Sequence, residues 1–322
     1  MFQIMVLFSH TGIQVLLNKW KRTLLFLLGC NSLILPDLTG QINKESSRYP
    51  VAQGSLGDVW KCTRQVKPPQ LVAVKCLRID IADDCLKKMF TERLEHELQQ
   101  NTQLKHRNLL PLIGITRGFG SLPAIVSPWM HNGSLTMLLD RDFQHLTIIR
   151  MLQILRDIAS ALQYLHSKDI AHGDLTGNNI LIDEKGNAFV ADHGILAFCS
   201  ELSGASYITS NVRWTAPENF RISEDEEPIS PPGPQLAPDI YSFGCVMLQV
   251  FTGRVPYSEC RSDHQVVVQI LRGKTPVRPL NPIGDTLWDF TQKCWLEAEH
   301  RPLAKEVFGF IHRQLQVPEG KP

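Results

Sequence analysis

Neither sign of charge is in excess in this 322-residue sequence: 33 Lys and Arg stand against 32 Asp and Glu, a formal net charge of +1. Nothing in that balance attracts a polyanion, so no nucleic-acid partner is expected. The eight cysteines are scattered, with no Cys-x-x-Cys pair and no tight Cys/His cluster. That excludes a disulfide framework and a structural zinc site as expectations. Reduced thiols in the cytoplasm, or in the nucleus, fit best. Long apolar runs are missing too. Met1 to Phe8 and Leu24 to Leu35 are apolar, but His10, Gly12, Gly29, Asn31 and Pro36 interrupt them. No window reaches the roughly 18 continuous apolar residues of a spanning helix. An uncharged start and the poor cleavage candidate Gly29-Cys30-Asn31-Ser32 argue against a signal sequence. With 43% hydrophobic and 20% charged residues, the chain is no disordered tail, collagen or fibre.

The first 44 residues read as an apolar N-terminal extension of one or two amphipathic helices. Ile13, Leu16, Leu17, Trp20 and Leu24 recur at helical spacing, and Lys19, Lys21 and Arg22 would face solvent. Such a segment could dock on the following domain or on a partner. Residues of about 48 to 128 form short extended runs with one helix, expected from about Asp83 to Leu104, with Leu86, Phe90, Leu94 and Leu98 on one face. After Gly133 the chain turns helical, and Leu146 to Ser167 is strongly amphipathic. A Gly/Asn-rich loop leads into Ile180-Leu181-Ile182, and a turn at Glu184 to Asn187 returns into Ala188-Phe189-Val190. Helices are expected over 237–252, 263–271, 285–295 and 304–314. The stretch 222–237 carries Glu224-Asp225-Glu226-Glu227 and four prolines, the composition of a solvated loop.

Three short patterns bear on chemistry. Gly54-x-x-Gly57-x-Val59 joins two strands, and glycines there let backbone amides close over phosphates. It is not a Gly-x-x-x-x-Gly-Lys-Ser/Thr loop, so a P-loop nucleoside triphosphatase is unsupported. Val72-Ala73-Val74-Lys75 sets one lysine at the end of an apolar strand. Burying it without a carboxylate is costly, and the next helix offers Glu92, Glu95 and Glu97. Farther on, Asp174 and Asn179 lie five apart in a helix-to-strand loop, and Ala191-Asp192-His193-Gly194 follows the hairpin. A base, an amide ligand and a carboxylate ligand in that order are what phosphoryl transfer needs. Any one of them alone would be a cap or turn residue.

Taken in order, these residues resemble a eukaryotic protein kinase domain, closest in style to the tyrosine-kinase-like (TKL) kinases abundant in mushroom-forming basidiomycete fungi. The resemblance covers about residues 45 to 316. It rests on Gly54/Gly57/Val59, Lys75, Leu104 to Leu109, Trp129 to Leu135, Asp174/Asn179, Asp192-x-Gly194, Ala216-Pro217-Glu218, Asp239-x-Tyr241-Ser242-Phe243-Gly244 and Arg301. It implies an α+β, two-lobed fold: a small antiparallel sheet lobe with one main helix over 45–130, a larger helical lobe over 131–316, and a tail over 317–322. It also implies ATP and Mg²⁺ as cofactors, with Gly54 and Gly57 over the phosphates and Lys75 on the alpha and beta phosphates. By the same analogy Glu97 is the helix partner of Lys75, with Glu95 as fallback. Asp174 would orient the substrate hydroxyl, and Asn179 and Asp192 would hold the metal. Val59, Ala73 and Leu181 would sandwich the adenine, with Ser127 a small residue behind it and Met130 offering an amide N–H. Glu218 would pair with Arg301 inside the fold, and Asp239 would brace the catalytic loop.

The chain departs from the pattern at several positions. Ala52 stands for the first glycine and Leu56 for the usual aromatic. Gly173 replaces the arginine before the catalytic aspartate, which weakens control by a single phosphorylated switch residue. Thr176 stands where a lysine usually faces the transferring phosphate, which removes a stabilising cation. His193 replaces a phenylalanine, and Asn101 an apolar residue, so the two are expected to hydrogen-bond with each other. Asn211 stands for the usual Thr/Ser before Trp214, which blurs the substrate class. The function implied is transfer of the gamma-phosphoryl of ATP to Ser/Thr hydroxyls of protein substrates in signal transduction. The alternative is a pseudokinase, a nucleotide-binding scaffold with little turnover.

Overall fold

The computed structural model describes residues 35–44, 49–54, 56–79, 81, 83–195, 199, 211–220, 236–279 and 283–317. The expected helices of residues 1–34 and most of the acidic and proline-rich stretch lie outside them.

The described residues begin with a six-stranded antiparallel sheet: β1 Ile42–Lys44, β2 Ala52–Gln53, β3 Gly57–Arg64, β4 Gln70–Leu77, β5 Gly114–Thr116 and β6 Ala124–Pro128. The order is β1-β3-β4-β6-β5, with β2 also on β3. The sheet lobe therefore starts earlier than the boundary at residue 45 that the sequence suggested. Leu38 is 2% exposed, donates its N–H to the Ile115 carbonyl at 2.8 Å, and packs with Cys62, Val74 and Val126. Strand β1 adds its three residues to the edge of β3. Residues 35–44 thus complete the sheet's apolar layer and do not continue a helical extension.

Side chains alternate across a strand, and in β4 that alternation decides what faces the cleft. Val72, Val74 and Cys76 turn into the sheet's own core. Ala73 and Lys75 turn the other way and line a cavity. Register places Val59 opposite Lys75 and Ser127 opposite Ala73. Four positions on three strands are thereby gathered on one wall.

Helix α1, Asp84–Asn101, begins at Asp83, whose carboxylate accepts the Leu86 N–H at 2.8 Å. Its buried stripe is Phe90, Leu94 and Leu98, four apart, packed on Leu77 and Ile115. Leu86, expected on that face, sits in the first turn and is 48% exposed.

The larger lobe holds α2 Leu135–Asp142, α3 Ile148–His166, the hairpin β7 Ile180–Ile182 with β8 Ala188–Val190, then α4 Ala237–Thr252, α5 Asp263–Leu271, α6 Asp285–Cys294 and α7 Ala304–Gln316. Helix α4 is apolar nearly all round, from Ile240 to Phe251, so it runs through the centre of this lobe. It ends at Gly253, whose φ of 67° is the left-handed conformation of a helix C-terminus. Helix α3 packs on both α4 and α7. This is the expected two-lobed arrangement, with the cavity between sheet and helices. No helix among the described residues is long and apolar enough to cross a membrane.

The glycines of the β2–β3 turn answer to different constraints. A Cβ on Gly57 would lie 2.1 Å from the Cys76 carbonyl oxygen, whereas one on Gly54 meets only the Gly57 carbonyl, at 3.5 Å. Gly57→Ala is therefore expected to destabilise the fold by about 2 kcal/mol through overpacking. Gly54→Ala should stay within about 0.5 kcal/mol of the parent. Denaturant midpoints of the two variants check this contrast.

Candidate active site

The catalytic loop is held from beneath before anything is presented to the cleft. Asp239, in the first turn of α4, is 2% exposed. Its Oδ2 accepts the His172 N–H at 2.7 Å and its Oδ1 the Gly173 N–H at 2.9 Å. The ring Nε2 of His166, at the end of α3, reaches the same Oδ2 at 2.9 Å. The brace expected of Asp239 is thus in place, with His166 as a partner the sequence did not reveal. Gly173 takes a φ of 79°, a conformation that any side chain makes costly. A glycine suits that backbone where the family pattern has arginine.

His172 carries the support upward. Fully buried, it places Nε2 2.9 Å from the Ala191 carbonyl oxygen, and its Nδ1 accepts the Asp174 N–H at 3.1 Å. The pair assigns the ring as the Nε2–H tautomer. The Gly194 N–H returns to the His172 carbonyl at 3.1 Å. The loop of Asp174 and the loop of Asp192 are therefore one hydrogen-bonded unit.

On that unit Asn179 donates from Nδ2 to the Asp174 carbonyl at 2.8 Å and to its Oδ2 at 2.9 Å. With the amide N–H groups so committed, the Asn179 side-chain oxygen is the atom left to meet a cation. Asn211 donates from Nδ2 to Asp174 Oδ1 at 2.7 Å. Burial pushes the Asp174 carboxyl above the usual carboxylate range, against the pull of His172 and of the two amides. Across the cleft, Lys75 Nζ lies 2.5 Å from Asp192 Oδ2. Asp192 holds a left-handed φ of 62°, strained for a residue with a side chain.

Most of the expected site residues converge on a cavity of 1270 Å³. Gly54, Val59, Ala73, Lys75, Ser127 and Met130 line it from one side. Asn179, Leu181 and Asp192 line it from the other. Gly57 does not reach it, because it is packed against the Cys76 backbone. Asp174 lies just behind the wall, 7% exposed, covered by the two asparagines that do line the cavity. The Met130 N–H has no hydrogen-bond partner among the described residues and borders the cavity.

Two expected pairings differ. Lys75 meets Asp192 and not Glu97. The turn of α1 bearing Glu97 buries Leu98 instead, and Glu97 makes no ion pair among the described residues. The fallback Glu95 is turned outward, onto Arg117. Nor do Asn101 and His193 bond: both line the cavity, but neither ring nitrogen of the 9%-exposed His193 finds a partner. Thr176 is also settled. Its hydroxyl accepts the Asn178 N–H at 3.2 Å within its own loop. The pair Glu218–Arg301 forms as expected, at 2.5 and 2.9 Å, with Arg301 also on the Leu296 and Ala237 carbonyls.

A lysine facing a carboxylate and an asparagine across a lobe-to-lobe cleft, beside a second, held carboxylate, is the arrangement expected of a protein kinase fold. The comparisons agree. The family model described as protein tyrosine and serine/threonine kinase matches residues 47–311, and the chain belongs to that family. It is similar to the serine/threonine-protein kinase STY46 of Arabidopsis thaliana, 28% identical over 268 residues, which are 83% of this chain and 43% of that protein. It is also similar to the RAF proto-oncogene serine/threonine-protein kinase of Xenopus laevis, 31% identical over 229 residues, 69% of this chain and 33% of the relative. The chain spans less than half the length of these curated relatives.

Two outcomes test this anatomy. Asp239→Ala removes a buried carboxylate that three donors share, the His172 N–H among them buried, and should cost about 3 kcal/mol of stability, read by thermal unfolding. His193 titrates in the opposite sense to a paired histidine. Burial lowers its imidazole from the ordinary 6.5 to about 4, with His172 adding to the shift and Asp192 opposing it. Below pH 6.5 the unfolded chain binds a proton that the folded one refuses. Stability should therefore fall between pH 6.5 and 4, by about 3 kcal/mol in all. His193→Phe should flatten that loss and raise stability at pH 7 by about 1 kcal/mol. Melts from pH 4 to 7 measure both effects.

Proposed function

We propose that this domain transfers the gamma-phosphoryl group of ATP to Ser or Thr hydroxyls of protein substrates in signal transduction. The observation that carries the reading is the convergence of Lys75, Asp192 and Asn179 on one cavity, with Asp174 bonded to Asn179 directly behind its wall. The names of both relatives, serine/threonine-protein kinases, support the choice of hydroxyl. A tyrosine-kinase-like affiliation of the fungal style is part of the same proposal, resting on the ordered motifs.

Val59, Ala73 and Leu181 supply apolar contacts to an adenine ring, and the free Met130 N–H supplies a polar anchor. Ser127 is small enough to leave room behind the base. Among the described residues no cluster of three or more His, Cys, Asp or Glu could hold a metal alone. That suits Mg²⁺, which takes one or two protein oxygens and completes its shell with phosphates and water. Asn179 Oδ1 and the Asp192 carboxylate fit that donor set. When bound, Mg²⁺ neutralises charge on the phosphate oxygens. Lys75, now on Asp192, would hold the alpha and beta phosphates once the nucleotide is bound. The substrate hydroxyl oxygen bonds to the gamma phosphorus as the bond to the leaving ADP oxygen breaks, and the hydroxyl proton passes to Asp174. Glu97 and Gly57 remain supporting residues in this reading: Glu97 half-buried on α1, Gly57 as the packing hinge of the turn.

A second reading is a nucleotide-binding scaffold, favoured by the inward hydroxyl of Thr176 and the covered Asp174. Labelled ATP, Mg²⁺ and a mixed peptide array separate the two. The expected result is phosphoserine or phosphothreonine product, lost by at least about 10³-fold in Asp174→Asn. ATP binding with equal, negligible turnover in both proteins would establish the scaffold.

A further inference from the structure

We propose that Arg78 is a positioning residue for the nucleotide: its guanidinium draws the Gly54 carbonyl to the outer side of the β2–β3 turn and so keeps that turn in the shape that covers phosphates. The inference rests on the reading of Gly54 as a phosphate cover and names the side chain that holds it there.

Gly54 borders the cavity and needs a restraint from outside itself. A Cβ placed on it would meet only the Gly57 carbonyl oxygen, at 3.5 Å, so packing leaves it room to turn. Glycine is also the residue with the widest backbone freedom. Gly57, by contrast, is wedged on the Cys76 backbone, where a Cβ would lie 2.1 Å from the carbonyl oxygen. One end of the turn is therefore fixed by packing and the other by hydrogen bonds alone. Two of those are made by Gly54: its N–H donates to the Gly57 carbonyl at 2.8 Å, and its own carbonyl accepts from Arg78 Nη2.

Arg78 directly follows the last residue of β4 and grips the turn twice. Its backbone N–H donates to the Leu56 carbonyl at 2.8 Å, while its side chain reaches Gly54. Leu56 is 5% exposed in the cluster that holds Leu77 and Leu94, so the backbone contact starts from a buried anchor. Asp58 faces the guanidinium: its Oδ1 lies 3.7 Å from Arg78 Nε and finds no hydrogen-bond partner among the described residues. With Arg78 48% exposed, such an ion pair contributes little stability. What a planar guanidinium between a carbonyl and a carboxylate does supply is direction. Neither Arg78 nor Asp58 lines the cavity, so the Gly54 oxygen is drawn away from it. Turned inward, that oxygen would set its partial negative charge against a polyanion.

The test is calorimetric binding of ATP with Mg²⁺, and of adenosine, to the parent and to Arg78→Ala, with melting temperatures for both proteins. Adenosine lacks the phosphates and reports the base site alone. Each titration is run at about 0.05 M and about 0.5 M salt, because screening weakens a bulk charge effect and spares a positioned hydrogen bond. Arg78→Ala should weaken ATP by about 5–20-fold at both salt levels while adenosine stays within about 2-fold of the parent. An ATP affinity within about 2-fold of the parent would overturn the inference. Equal losses for ATP and adenosine would overturn it too, since they mark general damage to the cleft. So would a loss that disappears at high salt, which marks charge without position. Peptide phosphorylation by the parent and Asp174→Asn runs alongside. A parent no faster than Asp174→Asn, with the split between ATP and adenosine intact, would overturn the kinase reading and support this inference. A parent that binds no ATP would overturn both.

Discussion

The site depends on one buried carboxylate that does not line the cavity. Asp239 enters the helical lobe in the first turn of a helix that is apolar nearly all round, where an unpaired charge would be very costly. Its partners are two backbone amides of the catalytic loop and the ring of His166. Satisfying Asp239 therefore forces the loop into a single position. His172, buried and fixed in one tautomer, passes that constraint to the segment bearing Asp192. From there the Lys75–Asp192 contact reaches into the sheet lobe. Helix core, catalytic loop, the Asp192 segment and sheet form one chain of charge-assisted and backbone hydrogen bonds.

The same chain explains how unusual residues are accommodated. Gly173 lacks the arginine of the family pattern, yet its left-handed backbone delivers the amide that Asp239 needs. Thr176 lacks the lysine, and its hydroxyl closes the turn to Asn178. His193 is the exception. It fills an apolar position with two ring nitrogens that nothing among the described residues satisfies, and burial keeps it neutral. Low dielectric makes such a group expensive. Real proteins tolerate local conflicts of this kind chiefly at functional sites. Asn101, on the same cavity, does not relieve it.

Much of the fold was legible in the residues. Val72-Ala73-Val74-Lys75 alternates as a strand must, so the lysine's side of the sheet follows from the pattern. The spacing of Phe90, Leu94 and Leu98 marks the buried stripe of α1, and the hairpin around Glu184 to Asn187 lies where its turn residues place it. Strand β1 was not legible. Ile42-Asn43-Lys44 is too short and too polar to announce itself, and it becomes a strand because β3 offers an open edge.

Side-chain partners divide along the same line. The sequence by itself determined which chemistry was available: a strand lysine, two carboxylates and an asparagine in catalytic order, and the glycines and apolar positions around them. Only the tertiary structure decided the pairing. Lys75 takes Asp192 over Glu97, Glu95 turns to Arg117, and Asn211 rather than a hydroxyl residue holds Asp174. Local patterns are set by periods of 2 and 3.6 residues and can be read along the chain. An ion pair or hydrogen bond between residues such as 75 and 192 depends on distances of a few ångströms, which exist only once sheet and helices are packed.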